Sequence, residues 1–265
     1  MLDEAKSLMP AWFIAHGAPL HLTGQQPVTR TWENLSSLLP RPPRAVLCLS
    51  AHWLTSEPTL SGNSSLPTIQ YDFYGFPEEL YRFQWPLHSD PKIAQQLQQD
   101  LKVRIEHLQL EPERPLDHGV WVPLARAWPT PDFPVYQLSL CPQRGALWHV
   151  ELGRSLASLR DEDILIIGSG GIVHNLSRIN WQAPSGTSSN WADEFMQAVE
   201  QAIQQNDIEA LCHPWNFPHG RDSVPTLEHY LPLLVILGMN QAKPLTPIIR
   251  DWEYGNLSMH SYSAQ

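Results

Sequence analysis

The chain has 265 residues, room for one large domain or two small ones at roughly 150 residues each. Hydrophobic residues make up 42% of it and charged residues only 17%, which excludes a disordered chain. The formal net charge is −10, and only 4 of the 17 bases are lysine, which argues against a broad surface for nucleic acid or an anionic membrane.

The start of the chain is acidic at Asp3 and Glu4 and lacks the apolar core of a signal peptide. The run 12–15 (WFIA) is short, apolar and followed by His-Gly, as a buried strand ending at a turn would be. Helical periodicity over 31–39 follows. A second apolar run, 45–50 (AVLCLS), reads as another buried strand, with Cys48 as a small core residue. Asp90 before Pro91 predicts an N-cap with proline in the first turn of a helix over 91–101. Next come a strand over 135–140, a helix over 150–159 and a strand over 164–167. Residues 185–190 (SGTSSN) are a loop too short to separate two domains. Helices over 191–203 and 227–237 complete the series. The apolar stretch 231–239 is far too short to span a bilayer.

Strands alternating with helices predict a single α/β domain over 1–265, with a mostly parallel central sheet and helices on both faces. The 25 prolines are spread throughout as loop punctuation, and no internal repeat is present. Cys48, Cys141 and Cys212 are far apart and odd in number, so no disulfide framework is expected, and cytoplasmic residence is the simplest reading.

Twelve histidines are present, and the position of three is informative. His16 follows the first apolar run, His52 the second, and His174 the run ending in Gly168-Ser169-Gly170-Gly171. In open α/β sheets ligands bind in the crevice beyond the carboxyl ends of the strands. Three imidazoles there would converge if the strands are neighbours, and imidazole is a ligand for zinc, iron and copper. Taken singly, each reads more readily as a hydrogen-bonded histidine near a strand end, and it is the three equivalent positions together that favour a metal.

His118, in Asp117-His118-Gly119, has the side chain best suited to proton transfer near neutrality, or else caps the helix that follows. His229 stands at the start of an apolar helix beside Glu228. Adjacent helical residues diverge by about 100°, so both are not expected to bind one metal. His213 and His219 frame a Pro/Trp-rich loop (HPWNFPH), read as an active-site lid or a packed loop. His21, His88, His107, His149 and His260 read as surface or structural. The 168–173 segment breaks the dinucleotide fingerprint at Val173, and Ile167 breaks GxSxG around Ser169. Those glycines are better read as permitting close backbone approach.

Five segments in order, HGAP at His16, SAHW at His52, DHGVW at His118, GSGGIVHNL through His174 and TLEHYLPLL at His229, resemble the class III extradiol ring-cleavage dioxygenases of the DOPA 4,5-dioxygenase type. Residues 72–80 (DFYGFPEEL) and 148–159 look like the same branch. The resemblance implies a non-haem metal bound by His16, His52 and His229. It implies that His174 is a further ligand or a close neighbour of the ligands, and that His118 and His174 serve catalysis. It implies a small-molecule catechol and O2 as substrates, with no nucleic acid or membrane partner. The first motif more often reads HGSP, and Ala18 here removes one hydroxyl.

Many extradiol enzymes hold Fe(II) with two histidines and a carboxylate, whereas the third position here matches His229. Fe(II) is the expected working metal, and an all-histidine set also suits Zn(II), which has no redox chemistry. Trp53, Trp121 and Tyr230, beside the motif histidines, are candidate pocket walls or core residues. The rival functions are a metal- or ligand-binding protein without catalysis and a zinc-dependent hydrolase.

Overall fold

The computed structural model describes residues 7–61, 66–240 and 243–265; the acidic start at Asp3 and Glu4 lies outside them. One sheet is built from β1 (Ala11–Ala15), β2 (Ala45–Ser50), β3 (Thr59–Ser61), β4 (Gln109–Leu110), β5 (Val135–Leu138), β6 (Ile164–Gly170), β7 (Thr246–Ile249) and, near the end of the chain, β10 (Ser261–Ala264). Its order is β4-β3-β5-β2-β6-β1-β10-β7. The central four, β5, β2, β6 and β1, are parallel, whereas β10 pairs antiparallel with β1 and β7 pairs antiparallel with β10 in turn. A separate hairpin joins β8 (Trp252–Glu253) and β9 (Leu257–Ser258).

Period-two alternation divides the central strands between two apolar layers. Ala11 and Phe13 of β1, Leu47 and Leu49 of β2, and Ile164 and Ile166 of β6 face one layer. Trp12 and Ile14, Val46 and Cys48, and Leu165 and Ile167 face the other. Burying one such aliphatic side chain contributes about 2 kcal/mol, so each layer holds its face of the sheet firmly.

The helices in chain order are α1 (Pro27–Glu33), α2 (Glu78–Tyr81), α3 (Pro91–Arg104), α4 (His118–Ala127), α5 (Ala146–Leu156), α6 (Asn190–Gln205), α7 (Ile208–Leu211), α8 (Gly220–Ser223) and α9 (Leu231–Met239). Residues of α3, α5, α6 and α9 pack in the first layer, and residues of α1 and α4 in the second. The expected α/β sheet covered on both faces is therefore the observed one.

The cap at Asp90 also stands as expected: its Oδ1 accepts from the backbone N–H of Lys92 and Ile93 at 2.9 and 3.1 Å. Several boundaries differ. The 31–39 helix begins instead at Pro27, which occupies the first turn, and ends at Glu33 before a tighter 3-10 turn over Leu35–Leu38. The 150–159 helix starts at Ala146 and passes into a 3-10 turn at Ala157. The strand expected to reach residue 140 ends at Leu138, although Leu140 still bridges to Leu54. The 227–237 helix begins only at Leu231, where Pro232 lies in its first turn, so His229 lies in the turn before it.

Helix α9 is buried along all nine residues, and all but Pro232 and Gly238 carry large apolar side chains. A helix that is apolar all round belongs inside the molecule, and α9 lies between β6 and α5. Glycines make the approach possible. A Cβ on Gly153 of α5 would sit 1.9 Å from the Val235 carbonyl oxygen, and one on Gly238 would sit 2.0 Å from that of Val150. Among the described residues no helix is long and apolar enough to cross a membrane.

Candidate metal centre and active site

Three segments deliver imidazoles to one place. His16 directly follows β1, His52 lies two residues past β2, and His229 lies two residues before α9. Their ligand atoms all fall within 4.8 Å of one another. His16 Nε2 and His52 Nε2 are 3.0 Å apart. The His16 and His229 ring centroids are 5.4 Å apart, and those of His52 and His229 5.0 Å.

The backbone explains the convergence. β1 and β2 flank β6 in parallel, so both strands end on the same edge. The chain before α9 then nests on the end of β6. Gly171 N–H donates to the His229 carbonyl at 2.8 Å, and a Cβ on Gly170 would meet that oxygen at 2.2 Å. Close approach is thus the purpose of these glycines, and no nucleotide loop is needed to account for them.

Hydrogen bonds orient two of the rings. Ser169 Oγ donates to the Gly119 carbonyl at 2.5 Å and lies 2.9 Å from His16 Nδ1. Its single proton is thereby committed, so His16 Nδ1–H is the donor and Nε2 carries the lone pair. His229 Nδ1 lies 3.4 Å from Glu228 Oε1, while the buried His229 Nε2 has no hydrogen-bond partner. Metal-binding histidines are commonly held in this way, with the second nitrogen on a carboxylate or hydroxyl. Glu228 is not part of the three-histidine group, and its Oε1 also accepts from Thr226 Oγ1 at 2.6 Å. The two residues stand in a turn, so the helical 100° argument does not apply to them.

Burial favours the neutral form of His16 and His52. It lowers the pKa of His16 well below the ordinary value, and the neighbouring His52 and His229 add to the effect. The same holds for His52, where burial comes first and His118 and His229 follow. An imidazole nitrogen that carries a lone pair and faces no other donor is the atom that binds a cation. The donor set therefore fits a divalent transition metal.

His118 is the first residue of α4 and lies beside this group, its ring centroid 4.1 Å from that of His52. Asp72 grips it twice: Oδ1 accepts from the His118 backbone N–H at 2.9 Å, and Oδ2 lies 3.0 Å from Nδ1. Burial alone would raise the Asp72 pKa, but the hydrogen bonds and charge of His118 outweigh it and the carboxyl is held low. Asp117, fully buried before α4, accepts from Ser50 Oγ at 2.7 Å and from Gln137 Nε2. Ser50 Oγ in turn accepts from the His52 backbone N–H at 3.2 Å. One carboxyl thus ties α4 to the ends of β2 and β5. His174 stacks flat on His229, centroids 3.6 Å apart and planes at 7°, and its pKa is pushed down to about 3, first by burial and then by His229. It stands outside the three-histidine group, whereas His52, Asp72 and His118 form a second such group.

Residues 10–258 match the family model described as the catalytic LigB subunit of aromatic ring-opening dioxygenase. A protein named 4,5-DOPA dioxygenase extradiol from Escherichia coli K12 is 38% identical over 257 residues, covering 96% of this chain and 93% of that one. A protein of the same name from Portulaca grandiflora is 33% identical over 276 residues, covering 97% and 96%. The crystal structure of an uncharacterized protein from Escherichia coli K12 superposes with a TM-score of 0.81 at 34% identity, covering 97% of this chain and all of that one.

The chain belongs to the LigB family of aromatic ring-opening dioxygenases. It is an extradiol ring-opening dioxygenase, a metal-dependent enzyme acting on small aromatic compounds with O2. The cavity of this LigB-family enzyme opens above the histidines and encloses about 320 Å3. His16, His52, His118, His174 and His229 all line it, so every histidine singled out from the motifs reaches one space.

Of the two readings for the aromatic residues beside the motif histidines, core packing is the one observed. Trp53, Trp121 and Tyr230 do not line the cavity of the LigB-family enzyme. Trp121 instead stacks on Phe83 and donates from Nε1 to the Gln70 carbonyl, Tyr230 is fully buried, and Trp53 lies under Arg114. Trp53 and Tyr230 directly follow His52 and His229, and side chains of adjacent residues point in different directions; Trp121 stands three residues past His118 within α4, packed on Phe83. The walls come from Phe73, Phe76, Trp181 and Tyr254. Phe73, Phe76 and Asp72 lie in the DFYGFPEEL segment, whose likeness to the family was the available signal. Trp181 and Tyr254 had none.

The HPWNFPH loop is packed rather than a lid. Trp215 Nε1 donates to the Val224 carbonyl at 2.7 Å, His219 Nε2 lies 3.1 Å from Glu194, and no residue of 213–219 lines the cavity. His21, His149 and His260 are buried structural residues, as expected.

Proposed function

We propose that the enzyme opens the ring of a catechol beside one hydroxyl, using Fe(II) held by His16, His52 and His229, and that residues 1–265 act as a single catalytic domain. The observation that carries the reading is the three-imidazole group with His118–Asp72 at its side, at the floor of an apolar cavity. Iron in that position would supply the one-electron chemistry that O2 needs to react with a closed-shell aromatic diol. An all-nitrogen donor set also suits Zn(II), which has no redox chemistry and serves as the inactive control.

The protein's own groups would do the rest. With Nδ1 held by Asp72, His118 presents Nε2 as its working nitrogen and takes a hydroxyl proton from the catechol. Asp72 then stabilises the imidazolium, and the same nitrogen returns the proton later in the reaction. His174, stacked and neutral, keeps the His229 ring in place and stands ready as a second proton-handling group. The apolar walls exclude water from the diol end. Relatives named for DOPA support an ortho-diol substrate. Three free cysteines suit a reducing compartment, and we place the enzyme in the cytoplasm.

The test is oxygen uptake by protein reconstituted anaerobically with Fe(II) and offered a catechol panel, with zinc-loaded protein beside it. Iron-dependent uptake with a yellow ring-opened product is the expected result. Uptake absent despite stoichiometric iron, or oxygen-independent ester hydrolysis by the zinc form, would replace this reading.

A further inference from the structure

Away from the histidines and the metal they would hold, the cavity walls offer a ligand no charged side chain among the described residues. Among the described residues that line it, none is lysine, arginine, aspartate or glutamate. Beyond the histidines the walls include Phe73, Phe76, Leu176, Ile179, Trp181 and Tyr254. Leu176 and Trp181 line the cavity yet remain 61% and 68% exposed. Large apolar side chains left in water beside a site mark a surface that a ligand covers.

The charged groups that come nearest in sequence are committed elsewhere. Arg178 stands between Leu176 and Ile179 in the chain, but its Nη2 donates to Asp222 Oδ1 at 2.6 Å and its guanidinium lies 5.0 Å over the Trp191 ring. Both oxygens of Asp72 are engaged by His118. Neither the carboxylate nor the ammonium of an amino-acid side chain therefore finds an opposite charge here. A charged group drawn against such walls loses hydration without gaining a partner, whereas an alkyl or aryl group gains from covering Leu176 and Trp181.

We infer that the ring substituent this enzyme accepts is uncharged and apolar, so that its substrate class is the alkyl- or aryl-substituted catechols and not an amino-acid catechol such as DOPA. The inference rests on the catechol reading above and narrows it. The diol end meets the histidines, and the substituent lies against Leu176, Ile179 and Trp181.

A matched set separates charge from shape: propylcatechol, dopamine, dihydroxyphenylpropanoate and DOPA, with unsubstituted catechol as reference. Anaerobic titration of the iron-loaded enzyme gives dissociation constants without turnover, and oxygen uptake gives kcat/KM. Propylcatechol is expected to bind at least roughly tenfold more tightly than DOPA, a difference of about 1.4 kcal/mol. The two singly charged analogues should fall on the weak side, and kcat/KM should follow the same order. Trp181→Arg should improve binding of the propanoate and not of dopamine. DOPA binding as tightly as propylcatechol, or more tightly, overturns the inference. A preference for propylcatechol without ring opening of any catechol keeps the ligand class and removes the reaction. Binding of none removes both.

Discussion

Ser169 and His118 show how much of the site depends on single hydrogen bonds. With Ser169 Oγ committed to the Gly119 carbonyl, His16 is held in the tautomer that leaves Nε2 free. Ser169→Ala removes that choice, and metal affinity should fall about 10- to 100-fold, the usual cost of losing such a support; competition with a chelator measures it. His118→Ala should keep the metal, because His16, His52 and His229 are untouched, and should lose about 100- to 10,000-fold in kcat. Unchanged turnover would take His118 out of the reaction.

A third residue, His149, lies outside the cavity. Its Nδ1 donates to the Gly145 carbonyl at 2.7 Å, and its Nε2 accepts from the Cys141 N–H at 3.2 Å, so the buried ring is committed to the neutral form. Burial pushes its pKa from 6.5 to about 4. Between those values the unfolded chain binds the extra proton and the folded one does not. The contribution of His149 is therefore complete above pH 6.5 and is lost as pH falls toward 4, by up to about 3 kcal/mol. Denaturation of wild type and His149→Gln across that window should show a flatter pH dependence in the variant.

At the scale of elements, the α5–α9 contact sets the position of His229. Gly153 and Gly238 let the two helices touch backbone to backbone, and the turn before α9 carries the ligand. Gly238→Ala places a methyl against the Val150 carbonyl, so the helices must part. We expect a loss of about 3 kcal/mol in stability, as overpacking commonly costs, together with weaker metal binding as His229 shifts. Denaturant midpoints and metal titration on one sample check both.

The same scale shows what the sequence made readable. β1, β2 and β6 are buried on both faces, so their apolar runs stand out, and the histidines that follow those runs, His16, His52 and His174, could be seen to share an edge. β10 could not be seen. Ser261 and Ser263 are polar and yet buried, Ser261 because its Oγ accepts from the Ala15 N–H at 3.0 Å, so the strand carries no apolar run. The roles of Asp72 and Ser169 were hidden for a different reason: each acts on a single histidine far away in sequence, which spacing does not reveal.

For the whole molecule, the three proposed ligands are drawn from sequence positions 16, 52 and 229, so the metal would clasp the first strands of the chain to its late helix. A metal that binds only the folded form stabilises it in proportion to its excess over the dissociation constant, about 4 kcal/mol at a thousandfold. Chelation should therefore lower Tm by about 10 °C for a chain of this size, and Fe(II) or Zn(II) should restore it. An unchanged Tm would mean that the three imidazoles hold no metal.

β1 is bonded on one side to β6 and on the other to β10, where Ala11 faces Ala264. During synthesis, then, the strand that leads into His16 keeps one edge bare until residues 261–264 have left the ribosome. An open, apolar edge is a template for pairing with other chains. Production of intact enzyme should thus be limited less by the histidine cluster than by how long the nascent chain waits for β10.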